Sequence, residues 1–138
     1  MKNTKLIALF CCMLAMFCSI GFTSCEDHEE EYKAGIIGYW MLKSAINYED
    51  GKGVENMPLF GTNIIEFRED NNYNGSIYGT DLQSIGKWSI VNNTLTLTDI
   101  NLNTLSFTMS IQGDELTIYD IEYIDGHSYK TEYIFMRM

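Results

Sequence analysis

Apolar residues recur at every second position along most of this chain, and that period constrains its fold more than any other feature. Leu105, Phe107, Met109 and Ile111 alternate with Ser106, Thr108 and Ser110; Leu95 and Leu97 alternate with Thr94, Thr96 and Thr98. Successive side chains of an extended strand point to opposite faces, so this spacing makes one face greasy and the other wet. β-branched and aromatic residues, which pack well on a pleated surface, are abundant, and the lone proline, Pro58, lies outside the best runs. Turn signals interrupt the alternation at Asp70-Asn71-Asn72, Asn92-Asn93, Gly113-Asp114 and Asp125-Gly126. Asn, Asp and Gly accept the positive φ that tight hairpins demand.

These signals predict eight strands, near 36–47, 62–69, 73–79, 84–91, 94–99, 104–111, 115–124 and 128–137. The gaps between them leave no room for crossover helices, so neighbours pair antiparallel in a meander. An open meander exposes two unpaired edges, and closure removes both. The expected fold is therefore all-β, a small eight-stranded antiparallel barrel occupying 35–138. Its one long connection, Tyr48 to Gly61, carries Met57, Leu59 and Phe60 and reads as a flap over one barrel end.

The first 24 residues follow a different logic. Lys2 and Lys5 precede an unbroken apolar run from Leu6 to Cys18, then a short stretch of smaller residues. That run is too short to cross the roughly 30 Å hydrocarbon core as a helix, which takes about 20 residues, so 1–24 reads as a signal peptide. Phe22-Thr23-Ser24-Cys25 resembles a lipobox, with Phe22 departing from the usual Leu. The resemblance implies cleavage before Cys25 and acylation of its sulfur, anchoring the chain to a membrane. All four cysteines, Cys11, Cys12, Cys18 and Cys25, lie at or before that site, so the remainder can form no internal disulfide. Residues 25–34 are expected to be the lipidated cysteine and a solvated acidic tether, Glu26-Asp27-His28-Glu29-Glu30-Glu31. Acids directly after the cysteine resemble the signal that carries some Gram-negative lipoproteins to the outer face of the outer membrane.

All 19 acids lie beyond residue 24, with all but two of the nine bases. So acidic a surface repels nucleic acid, and no nucleic-acid partner is expected. Enzymatic parts are sparse as well. The only histidines are His28 and His127, no Gly-x-Ser-x-Gly occurs, and no Gly-rich phosphate loop is present. No catalytic residue, cofactor or metal is expected. Asp70-x-Asn72-x-Asn74-Gly75 with Asp81 has calcium-loop spacing, but its flanks look extended rather than helical, and a hairpin turn accounts for it. Asp120, Glu122, Asp125 and His127 cluster around another turn and read as a solvated hairpin.

Gly38-Tyr39-Trp40 in the first strand and Arg137 in the last resemble the lipocalin signature, in which a tryptophan plugs the closed end beneath a terminal arginine. Ile65-Glu66-Phe67 before the Asp70 turn, and Lys87-Trp88-Ser89-Ile90 before Leu95-Thr96-Leu97, extend the likeness to small lipocalin-like domains of Gram-negative lipoproteins. It spans roughly Gly35 to Met138. Two features depart from the wider family: no Thr-Asp-Tyr motif is found, and no helix follows the last strand. The resemblance implies a binding module for a small apolar or amphipathic ligand. Phe67, Trp88, Leu97 and Phe107 are the candidate wall residues, with Met57 and Phe60 on the flap. The other reading is a structural or protein-interaction module with a filled barrel.

Overall fold

The computed structural model describes residues 26–56 and 63–138. One helix, α1 (Glu26–Ile36), precedes nine strands: β1 (Gly38–Glu49), β2 (Lys52–Asn56), β3 (Ile64–Phe67), β4 (Asn72–Gly75), β5 (Ile85–Val91), β6 (Thr94–Asp99), β7 (Thr104–Gln112), β8 (Glu115–Ile124) and β9 (His127–Arg137). From β3 to β9 each strand pairs antiparallel with the next. The ring closes where β9 runs along β1, from Trp40 opposite Arg137 to Glu49 opposite Tyr129. Residues 26–138 thus hold a complete closed sheet with its core and form a self-sufficient folding unit.

The expected eight strands are the eight of the ring, and β2 is an addition. It occupies Lys52–Asn56 of the connection read as a loop between Tyr48 and Gly61. The turn residues Asp50 and Gly51 both take positive φ, 46° and 80°, and reverse the chain into a hairpin that extends β1. On that edge β1 is shared in series: Gly38–Met41 pair with β3, and Ala45–Glu49 pair with β2. Alternation was weak in Lys52-Gly53-Val54-Glu55-Asn56 because β2 lies outside the barrel and buries no face. The flap residues Met57, Leu59 and Phe60 lie outside the described residues.

A bulge at Lys43 shifts the register between Leu42 and Ser44, so that Trp40, Leu42 and Ala45 all face inward. They join Ile65, Phe67, Tyr73, Trp88, Ile90, Leu95, Leu97, Phe107, Met109, Leu116, Ile118, Tyr133 and Phe135 in one core cluster. The acidic stretch expected as a solvated tether forms a helix. Tyr32 and Ile36, one turn apart, seat α1 on the core, and this packing gives the preceding charged turns a template. Glu30 and Glu31 remain exposed.

Candidate functional site

The two ends of the barrel are built differently. At one end, α1 delivers Ile36 to the core and packs against β5 and β7. Trp40, with no exposed surface, donates from its indole Nε1 to the Ile36 carbonyl at 2.6 Å. Arg137 lies over the indole, its guanidinium carbon 4.3 Å from the ring centroid. Nη1 and Nη2 of that guanidinium donate to the carbonyls of Ile37 and Gly35. Those carbonyls, at and just beyond the helix C-terminus, have no amide partner of their own in a helix that stops there. Gly38 has φ of +129°, and a Cβ there would approach Nη1 to 3.2 Å, so both backbone and space favour glycine. The structure therefore brings Gly38, Trp40 and Arg137 into one plug, with the first and last strands stitched beneath it.

The other end is rimmed by the 76–84 connection, the 100–103 turn and the extended β8–β9 hairpin. Strand β7 changes partner at Thr108, which faces both Thr94 on β6 and Tyr119 on β8. Before that residue β7 follows β6; after it, β7 follows β8. From Asp120 onward β8 consequently parts from β7, and a cleft of about 390 Å³ opens between them. Leu82, Leu105 and Phe107 supply its apolar lining, while Asp81, Asn103, Asp120, Thr131 and Tyr133 supply polar groups. Phe107 meets Tyr133 edge-on, with ring centroids 6.1 Å apart. Burial first, then the nearby Asp120 and Tyr78, pushes the Tyr133 hydroxyl above the ordinary phenol range, so it keeps its proton at neutral pH.

Asp99 fixes both loops of that rim. Only 3% exposed, it accepts from the amides of Asn101 (2.7 Å), Asn103 (3.0 Å) and Gln83 (3.2 Å), and from Asn103 Nδ2 (3.0 Å). Burial alone would raise its pKa, but these bonds outweigh burial and hold the carboxyl below its usual range. The 76–84 connection is held further by Tyr73, whose hydroxyl donates to the Gln83 carbonyl at 3.0 Å, and by buried Ile77. The cleft therefore has fixed walls rather than a loose cover.

Of the candidate wall residues, Phe107 lines this cleft. Phe67, Trp88 and Leu97 are packed within the barrel, Phe67 edge-on to Trp88 at 5.9 Å, and they do not line it. Met57 and Phe60 lie outside the described residues. Sequence reasoning assigned no role to Tyr133 or Asp99, and it read Asp120 as part of a solvated hairpin rather than as a cleft lining. A signal for Asp99 existed in Asp99-x-Asn101-x-Asn103, a spacing that lets one carboxylate cap successive turn amides. None existed for Tyr133 and Asp120, because their meeting with Leu82 and Leu105 depends on where β7 leaves β8. The turn acids resolve separately. Asp70 accepts from the Asn72 amide at 3.1 Å between two strands, as a hairpin requires. His127 pairs with Asp50 across the β1–β9 seam at 2.7 Å.

A closed antiparallel meander, plugged by a tryptophan–arginine pair at one end and cleft at the other, defines the lipocalin type of small β-barrel. A family model described as a lipocalin-like domain matches residues 36–136, and the chain belongs to that family. No curated protein and no solved structure gives a match.

Proposed function

We propose that this protein is a non-enzymatic, lipid-anchored binding module of a bacterial envelope. Cleavage before Cys25 and acylation of its sulfur hold it on the outer membrane, and the cleft at the open end takes a small apolar or amphipathic ligand. The observation that carries the binding reading is the cleft itself. Its volume falls within the roughly 300–1,000 Å³ of small-molecule sites, and it combines an apolar lining with a few convergent polar groups on fixed walls. The lipobox resemblance and the apolar run of 6–18 support the anchoring, since acyl chains contribute about 0.8 kcal/mol per buried CH₂.

Titration of residues 26–138 with the neutral amphiphile decanol, read by calorimetry, tests the binding half. Saturable one-site heat that is lost in Leu82→Asp, a charge placed in the cleft lining, is expected; absence of saturable heat refutes it. For the anchoring half, the full chain should incorporate a labelled fatty acid and partition with membranes. Cys25→Ala should lose both properties.

A protein-interaction role is favoured by a different observation. Beyond the cleft the β8–β9 hairpin displays Ile121, Tyr123, Ile124 and Tyr129 to solvent, more apolar surface than a hairpin tip needs. Failure of decanol to bind would leave that reading in place.

A further inference from the structure

The inward positions of three neighbouring strands change chemistry at the same level of the barrel. On β8 they run Leu116, Ile118, then Asp120 and Glu122; on β9 they run Phe135, Tyr133, then Thr131; on β1 they run Leu42, Ala45, then Asn47 and Glu49. Registry places Ala45, Tyr133 and Ile118 in one row and Asn47, Thr131 and Asp120 in the next. The apolar interior thus ends in a polar, acidic collar.

Within the cleft this collar meets an apolar floor. Asp81 and Asp120 both line it, and neither has a basic partner among the described residues. Lys130, next in line to Thr131, belongs to the opposite face of β9 and is held by Glu132 and by the rings of Tyr48 and Tyr119. Tyr133 is only 5% exposed, yet its hydroxyl makes no hydrogen bond among the described residues. That hydroxyl lies beneath the 76–84 connection, 3.9 Å from where a Cβ on Gly79 would be. The ring of Tyr133 is packed away while its hydroxyl reaches the cleft, where it is free to meet a ligand atom.

We propose that the cleft selects a primary-ammonium amphiphile. Three acceptor groups, the carboxylates of Asp81 and Asp120 and the phenol oxygen of Tyr133, match the three N–H donors of an ammonium head. The hydrocarbon tail lies on Leu82, Leu105 and Phe107. This deepens the ligand-binding reading above and rests on it.

The test is calorimetric titration of residues 26–138 with decylammonium, decanol and decanoate, each below its micelle concentration. Decylammonium should bind at least tenfold more tightly than decanol, and decanoate more weakly than either. Asp120→Asn should weaken decylammonium at least fivefold more than it weakens decanol, and Tyr133→Phe should act in the same sense. Glu69→Gln makes the same change of charge at an exposed turn by the closed end and should leave decylammonium unchanged. An equal loss in Glu69→Gln, or none in Asp120→Asn, would reveal general attraction to an acidic surface and overturn the proposal. Equal binding of all three probes would overturn the selectivity and leave the ligand-binding reading standing. Binding of none would remove both.

Discussion

Removing the Arg137 side chain should destabilise the barrel by about 3 kcal/mol, because it ends three interactions at once. The guanidinium carbon is 4.3 Å from the Trp40 ring centroid, and the side chain is 31% exposed, between the solvated and desolvated cases. The stacking is then worth about 1 kcal/mol. Two charge-assisted hydrogen bonds to the Ile37 and Gly35 carbonyls contribute about 1 kcal/mol each after discounting for partial solvation. The contact to Asp114, 3.6 Å long with its partner 77% exposed, contributes nothing measurable. For a domain near 100 residues the sum lowers Tm by roughly 12–24 °C. In urea, Arg137→Ala should lower the midpoint without changing the slope, since the same surface is exposed on unfolding. Arg137→Lys keeps the charge but not the planar fork, and should lose about half as much. A double-mutant cycle with Trp40→Phe isolates the ring contact and should return a coupling of about 1 kcal/mol. A loss below about 0.5 kcal/mol in Arg137→Ala, or zero coupling with Trp40, would refute the account of the plug.

Three further outcomes are expected. The carboxyl of Asp99 is held below its usual range in the fold, so its stabilisation is complete above about pH 4, the unfolded value, and fades as pH falls through the lower folded value. Urea midpoints of Asp99→Asn should therefore fall less steeply on acidification than those of the parent chain; parallel acid limbs would contradict the assignment. Phe67→Ala removes a 1%-exposed ring and its edge contact to Trp88, and should cost about 3–5 kcal/mol by chemical denaturation. Gly86→Ala would place a Cβ 2.2 Å from the Thr98 carbonyl oxygen and 2.8 Å from the Asp99 Cα; a loss of about 3 kcal/mol or failure to fold is expected, and a neutral result would mean the β5–β6 approach is looser than described.

What could be read from the residues alone followed from local rules. A period of two places Leu95, Leu97, Phe107 and Met109 on one face wherever the strand lies, because side-chain direction is set by the backbone itself. Turn residues such as Asn92-Asn93, both at positive φ, mark the reversals for the same local reason. Strand order and closure came with them, since short connections leave few ways to pair. Where a side chain's surroundings depended on a distant partner, the alternation was silent. β2 and the helical form of Glu26–Ile36 exist because β1 and the core offer them a docking surface, and neither carries the pattern of a self-sufficient element.

The chain's letters determined a two-faced ribbon that closes on itself, and the lipocalin resemblance implied the pairing of Trp40 with Arg137. Tertiary structure alone decided that Phe67, Trp88 and Leu97 pack within the barrel while Phe107 reaches the cleft. It also decided that Asp120 and Tyr133 face an opening rather than another strand. The physical reason is registry. An inward position is core or cleft according to whether the neighbouring strand continues beside it, and β7 leaves β8 at Thr108 through pairings that span the whole sheet.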